Sequence, residues 1–213
     1  MLKAPLLLDS TGPFSDDRNN IIGCPEHSSQ GVPSSCQDLP CSWYVLRVSY
    51  SRELKIKALL EDRGIETFVP MMWRKKTVGG KTHKILVPAV NNLCFVRWHR
   101  HGIDSLISSY GEKSPVHYYW DRTMQRPLTV PDKPMEDFIK VSSTLDEDLI
   151  YLTEISDKLR EGQTVKVRTG SFAGVTGKIV RIRKSRRILV ELPGSLAVAS
   201  TYVSPENVEI VTE

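Results

Sequence analysis

Apolar and polar positions alternate between residues 43 and 141 in a way that predicts one mixed domain. Runs rich in aromatic and β-branched residues, typical of strands, lie at 43–48, at 65–72, at 84–90 with a continuation at 93–98, and at 116–120. Apolar residues spaced by three and four predict helices around 54–60, 103–110 and 132–141. The order β-α-β-β-α-β-α predicts an α+β domain with a ferredoxin-like core, in which helices pack on an antiparallel sheet.

The pattern changes after residue 160. Five short strand-like runs, separated by glycines, lie at 165–168, 177–182, 188–192, 197–202 and 208–211. Such closely spaced strands predict a small β-barrel over residues 161–213. Residues 142–160 include three consecutive acidic residues and are predicted to be an acidic linker, while residues 1–42 lack any period and are predicted to be a mobile leader.

Charge is distributed unevenly over these segments, although the net charge is only +4. Residues 43–140 hold 17 basic and 10 acidic side chains, a balance of +7, and residues 161–213 hold 8 and 5, a balance of +3. The leader and the linker each carry −3. Basic domains of this kind indicate polyanionic partners, but a solvated lysine-rich surface gives the same pattern.

Several classes of protein are excluded by what the sequence lacks. No apolar run approaches the ~18 residues of a membrane span, and no secretory signal is recognisable, so we expect a cytoplasmic protein without a membrane partner. The four cysteines form no C-x-x-C pair, so neither a metal site nor a cofactor is expected. No nucleophile motif surrounds the five histidines, which argues against an enzyme.

One motif at the start of the predicted barrel has a specific spacing. It consists of Gly162, Val165, Val167, Gly170, Phe172, Gly174, Gly177 and Ile179. The valines share one face of a strand, the glycines allow a positive φ or a close backbone approach, and Phe172 is expected at the loop tip as a contact for a protein partner. This spacing resembles the KOW motif of transcription-elongation factors and several ribosomal proteins.

The beginning of the first domain carries a second resemblance. Trp43, Tyr44, Val45 and Leu46, followed by Glu53 at the head of the first helix, resemble the start of a NusG N-terminal (NGN) domain. Further segments are similar to the UpxY branch, specialised NusG paralogs associated with surface-polysaccharide operons; they lie at 68–72, 87–96, 130–138 and 190–194. The resemblance implies an NGN domain at 43–141 and a KOW domain at 161–213.

Two departures from housekeeping NusG favour the specialised branch. Residues 90–93 read Val-Asn-Asn-Leu where NusG usually has Phe-Pro-Gly-Tyr, and residues 192–197 replace a Phe-Gly-Arg segment. The second departure argues against the usual partners of the NusG KOW domain, the termination factor Rho above all and also ribosomal protein S10. Ribosomal protein S10 or another protein nevertheless stays a candidate.

The resemblance implies a binding protein whose main partner is RNA polymerase. Family members grip the clamp helices of the polymerase through an apolar patch of the N-terminal sheet and reach the opposite lobe with a hairpin. Carried onto this chain, the patch comprises Tyr44, Arg47, Val90, Leu93 and Phe95. The alternative is that Leu93 and Phe95 are ordinary core residues.

A basic turn around Gly79-Gly80 is expected to contact nucleic acid. In the family this neighbourhood reaches the non-template DNA strand, and nascent RNA is a further candidate ligand. The candidate residues are Arg74, Lys75, Lys76, Lys81 and Lys84 of the hairpin, with Arg52 and Lys55 of the first helix as weaker ones. A solvated face is the alternative for any single lysine.

These expectations combine into one hypothesis of function. The protein is expected to be an operon-specific elongation and antitermination factor that suppresses pausing and termination in surface-polysaccharide operons. The alternative is a constitutive RNA-binding or ribosome-associated KOW protein. A second basic turn is a candidate for RNA or ribosome contact, with a solvated hairpin tip as the equal alternative; it is formed by Arg181, Arg183, Lys184, Arg186 and Arg187.

Overall fold

The computed structural model describes residues 40–154, 156, 162–182 and 184–211. The predicted leader, apart from residues 40–42, lies outside the described part of the chain, as do residue 155 and residues 157–161 of the linker region. All described residues belong to one unit that spans residues 33–213.

The N-terminal domain is α+β and is organised around an antiparallel sheet, as the sequence predicts. Its strands are β1 (Ser42–Val48), β2 (Glu66–Phe68), β3 (Met71–Val78), β4 (Lys81–Pro88), β5 (Leu93–Trp98), β6 (Val116–Tyr118), β7 (Trp120–Asp121), β8 (Arg126–Pro127) and β9 (Thr129–Val130). Its helices are α1 (Glu53–Glu61), α2 (Arg100–Ser109) and α3 (Asp132–Ser142). The sheet order is β2-β5-β1-β6 with β9 also paired to β1, while β3–β4 and β7–β8 form separate hairpins.

Both faces of this sheet are covered, because β1 and β5 carry apolar side chains at consecutive positions. Successive side chains of a strand point to opposite faces, so Trp43 and Val45 face one side and Tyr44 and Leu46 the other. The Tyr44 face is covered by α1 and α2 through Ile56, Leu60, Ile103 and Leu106. The Trp43 face is covered by α3 through Met135, Phe138 and Val141.

Cys94 provides a chemical probe of the N-terminal domain. It lies fully buried in β5 beneath α1 and α2, and this burial raises the pKa of its thiol to about 12. Because only the thiolate is nucleophilic, we expect Cys94 to resist a thiol reagent at pH 8 and to react after unfolding in urea, whereas the exposed Cys41 reacts at once. Counting the slowly reacting thiols of the wild type and of Cys94→Ala checks this, and rapid labelling of Cys94 in the native protein would contradict it.

The C-terminal domain is an antiparallel β-structure. Its strands are β10 (Ile150–Leu152), β11 (Thr164–Val167), β12 (Thr176–Ile182), β13 (Ser185–Leu192), β14 (Leu196–Tyr202) and β15 (Val208–Ile210), in the order β10-β14-β13-β12-β11-β15. The last five coincide with the predicted strands within a few residues. The fold is therefore α+β, with an antiparallel sheet domain that also carries helices, followed by a small β-barrel domain.

Strand β10 lies inside the segment that the sequence predicts as a linker. Its three residues pair with Ala197–Ala199 of β14 and extend the barrel sheet by one strand. The charge of Asp146, Glu147 and Asp148 dominates this segment, and three residues are too few to show a period. Only the pairing with a strand almost fifty residues later makes β10 recognisable.

The two domains pack against each other through α3. One continuous apolar cluster contains Phe95 of the sheet, Phe138 of α3 and Val190 of the barrel. Polar contacts surround this cluster. The Asp137 carboxylate accepts the backbone N–H of Thr176 at 3.2 Å, and the Lys133 ammonium donates to the Gly174 carbonyl at 3.1 Å. One face of helix α3 is therefore buried between the sheet and the barrel.

Candidate functional site

The β3–β4 hairpin carries most of the predicted nucleic-acid residues. Its tight turn at Gly79-Gly80 is the predicted one, and both glycines have a positive φ (57° and 77°). The strand register divides the cations between two faces, because residues directly opposite each other share a face. Lys75 lies opposite Lys84, and Lys76 lies opposite His83 on the other face.

Aromatic and apolar side chains accompany the first of these faces. Trp73 lies opposite Leu86, on the same face as the Lys75–Lys84 pair, and its side chain is 40% exposed. Further along, the hydroxyls of Thr77 and Thr82 are 3.2 Å apart. This face therefore combines two ammonium groups with an accessible aromatic ring, a combination that suits single-stranded nucleic acid.

A carboxylate from the segment that follows α3 partly neutralises the Lys75–Lys84 pair. The Glu147 carboxylate forms an ion pair with Lys84. This bond, with a smaller contribution from Lys75, lowers the pKa of Glu147 below its usual value. An acidic side chain from the predicted linker thus lies on the cationic hairpin.

Arg52 and Lys55 lie on another element, at the beginning of α1, and both are exposed. The Arg52 guanidinium lies 5.4 Å from the ring centroid of Tyr50. Tyr50 and Ser51 both have a positive φ (62° and 52°), which side chains other than glycine rarely adopt. This loop is held by the backbone bond from Ser49 N–H to the Pro115 carbonyl.

The five residues of the predicted polymerase patch do not form one exposed surface. Leu93 and Phe95 are buried, Val90 is half-buried, and all three belong to or pack on the cluster beneath α3. Arg47 is exposed and lies opposite Leu93 in the β1–β5 pairing. Tyr44 is buried on the opposite face of the sheet, where burial raises its pKa and its ring contacts Tyr118.

The KOW residues have the local geometry that the spacing predicts. Gly170 and Gly174 adopt φ of 88°, a conformation that favours glycine. Gly162 and Gly177 are required for a different reason: a Cβ at Gly162 would lie 2.5 Å from the Ile179 carbonyl oxygen, and one at Gly177 would lie 2.6 Å from that of Leu189. These glycines allow the barrel strands to approach closely.

Phe172 is not presented as an exposed tip in this arrangement. It is half-buried and packs on the cluster shared by the two domains. The reason is that its loop docks on α3, where Lys133 and Lys140 donate to the carbonyls of Gly174 and Ala173.

The residues of the second basic turn do not share one environment. Arg181, Lys184 and Arg186 lie at the β12–β13 connection, and Arg183 lies outside the described residues. Arg187 is buried, and its guanidinium donates to the carbonyls of Asp148 and Ser200 at 2.7 and 2.8 Å. It joins the segment before β10 to the barrel and is a structural residue here.

Sequence reasoning missed the polar residues of α3 that bind the barrel. Asp137 is buried, although its neighbours Glu136 and Lys133 are exposed. The available signal was a carboxylate placed directly before the apolar pair Phe138-Ile139 in an amphipathic helix. That position indicated burial and a hydrogen-bond donor nearby, but not the barrel as its source.

Within the described ranges, no helix is long and apolar enough to cross a membrane. Nor do the histidine, cysteine and carboxylate side chains of those ranges form a group of three or more that could hold a metal ion.

Comparison with known proteins adds to this geometry. Residues 41–139 match the family model described as "Transcription termination factor nusG", and residues 161–191 match the model described as "KOW motif". No curated protein matches the chain. Matching solved structures include "Domain interaction in Thermotoga maritima NusG", which is 16% identical over 81% of this chain and 98% of that chain, with a TM-score of 0.41. The two family matches, in this order along the chain, support a NusG-type transcription factor.

Proposed function

We propose that this protein is an operon-specific transcription elongation and antitermination factor that binds RNA polymerase through its N-terminal domain. The observation that carries the proposal is the cationic β3–β4 hairpin on a domain that matches the NusG family model. The resemblance of residues 87–96 and 130–138 to UpxY proteins supports a role in surface-polysaccharide operons. The protein acts by binding and not by catalysis.

The hairpin supplies the nucleic-acid contact of this proposal. Its lysines bind the phosphates of the exposed non-template strand, and Trp73 is available to stack on a base. The binding is salt-dependent, since it releases counterions from the phosphates.

Polymerase binding through the Leu93 face requires a change of domain arrangement. Leu93 and Phe95 share a buried cluster with the barrel, and Phe172 of the KOW loop packs on the same cluster. In this closed arrangement Leu93 and Phe95 are buried and Phe172 is half-buried, so neither apolar contact is fully presented to a partner. We therefore propose that the barrel leaves α3 before the polymerase and a KOW partner bind.

The Glu147–Lys84 ion pair should weaken nucleic-acid binding. Glu147→Gln removes the negative charge next to Lys84 and Lys75, so we expect about twofold to threefold tighter binding of a single-stranded oligonucleotide at low salt. The lowered pKa keeps the Glu147 carboxylate ionised at neutral pH, so the advantage of the variant over the wild type should persist there and disappear only when acidification protonates Glu147.

Fluorescence anisotropy measures this effect, and Glu154→Gln is the matched control because Glu154 is also exposed and carries the same charge. Equal effects of the two variants would show that only net charge matters.

Transcription in vitro tests the proposed function. RNA synthesis through the leader of the operon that carries the gene is compared with and without the protein. The proposal expects shorter pauses and more read-through, and unchanged pause lifetimes and read-through would overturn it. A pull-down at moderate salt that recovers ribosomal RNA and no polymerase subunits would support the alternative of a ribosome-associated KOW protein.

A further inference from the structure

The β7–β8 hairpin, residues 120–127, presents an aromatic and basic surface that the proposed function does not use. The Trp120 side chain is 54% exposed, which is unusual for the largest apolar side chain. Arg122 and Arg126 are exposed as well, and Met124 lies at the tip. This hairpin is not paired with β3–β4.

The turn of this hairpin is held by hydrogen bonds. The Asp121 carboxylate accepts the backbone N–H groups of Thr123 and Met124 at 2.9 and 3.1 Å. The Gln125 side-chain amide donates to the Arg122 carbonyl at 2.8 Å, while the backbone of Gln125 has φ of 49°. The side chains of the turn are therefore presented by an ordered backbone.

The base of the hairpin is fixed to the central sheet. Tyr119 N–H donates to the Val45 carbonyl at 2.9 Å, and Leu128 N–H donates to the Tyr119 carbonyl at 2.7 Å. Leu128 itself is buried in the core. Because both ends are anchored, the backbone of the hairpin does not need to be ordered when a ligand binds, which lowers the entropic cost of binding.

The two arginines are available for a ligand. In the part of the chain that the structure describes, neither guanidinium has an ion-pair partner. Trp120 pairs with Pro127 on one face and Asp121 pairs with Arg126 on the other, with Arg122 in the turn between them. A chain lying on the Trp120 ring would thus pass Arg122 first, and Arg126 would act at longer range.

We infer that the β7–β8 hairpin binds single-stranded nucleic acid, with a base stacked on Trp120 and a phosphate bound by Arg122. The exposed Trp120 ring, next to the exposed Tyr119 and to guanidinium groups without an ion-pair partner in the described ranges, suits a stacked base and its phosphate. Protein hot spots are also rich in Trp and Arg, but they lie among contacts that exclude water, whereas Arg122, Thr123 and Gln125 beside Trp120 are polar and exposed. The inference goes beyond the proposed function because it requires no polymerase.

Anisotropy with labelled oligouridylate RNA and oligothymidylate DNA of equal length tests the inference. All variants are made in an Arg74→Ala, Lys75→Ala, Lys76→Ala background, so that the β3–β4 hairpin does not mask the effect. We expect Trp120→Ala to weaken binding about tenfold and Trp120→Phe to restore most of it. Arg122→Ala should lower the slope of log affinity against log salt by about 0.7, with a smaller change for Arg126→Ala.

Met124→Ala is the matched control, since Met124 lies in the same hairpin and is 61% exposed but has no ring to stack. If Trp120→Ala weakens binding of one oligonucleotide more than the other, that comparison identifies RNA or DNA as the preferred ligand. If Trp120→Ala and Arg122→Ala both leave oligonucleotide affinity within twofold of the background, the inference is wrong. Loss of polymerase retention by Trp120→Ala with unchanged oligonucleotide binding would assign the hairpin to a protein contact and would also overturn it.

Discussion

Phe138→Ala is expected to lower the free energy of unfolding by about 3–5 kcal/mol, the usual cost of removing a buried phenylalanine. Phe138 is fully buried in α3, and its ring centroid lies 5.7 Å from that of Phe95 and 6.4 Å from that of Tyr151. The side chain therefore contacts both β5 of the sheet and β10 of the barrel. Its loss leaves a cavity where the two domains meet, and the cost is large because neither domain can collapse into it independently.

Urea denaturation followed by fluorescence measures this loss. Met124→Ala is the control, because Met124 is 61% exposed and its removal should change stability by no more than about 0.5 kcal/mol. A loss below about 1 kcal/mol for Phe138→Ala would mean that the sheet, α3 and the barrel do not share one packed interior in solution.

Asp137→Ala is expected to release the barrel and to raise the affinity for RNA polymerase about tenfold. The buried Asp137 carboxylate accepts the backbone N–H of Thr176 and lies 2.5 Å from the Lys133 ammonium. Removing one partner of a buried hydrogen bond costs about 1–3 kcal/mol. Because the bond to Thr176 joins α3 to the barrel, its loss destabilises only the closed arrangement. When the open, binding-competent form is a minor population, a tenfold rise in its population raises the apparent affinity for polymerase tenfold.

Retention of polymerase on immobilised protein measures this change. Glu136→Ala is the matched control, since Glu136 lies on the same helix with the same charge but is exposed. Protection of the Cys94 thiol reports whether the N-terminal domain stays folded in each variant. Unchanged or weaker retention by an Asp137→Ala protein with a protected Cys94 would contradict the closed arrangement as a control on polymerase binding.

Local patterns in the sequence predicted much of the secondary structure. Strand β5 has the predicted bounds, 93–98, because its buried residues are consecutive and clearly delimited. The β3–β4 turn follows from Gly79-Gly80, and the left-handed conformation of Gly170 and Gly174 follows from the spacing of the KOW motif. Each of these features depends on residues close together in the chain.

Features that depend on distant residues were not predictable in this way. Strand β10 exists because β14 pairs with it, and Arg187 is buried because Asp148 and Ser200 offer their carbonyls. The positions of Leu93 and Phe95 in β5 were equally consistent with a buried core and with an exposed patch that binds polymerase. The choice depends on whether α3 and the barrel cover that face.

The sequence by itself determined most of the elements, the two domain types and the basic hairpin, since these follow from periodicity, turn residues and charge. Only the tertiary structure decided which of the candidate residues are accessible. It buries Leu93 and Phe95 with the barrel, places Glu147 on Lys84, and leaves Trp120 exposed. The physical reason is that an apolar pattern specifies which side chains avoid water, whereas the surface that covers them is set by the packing of the whole chain.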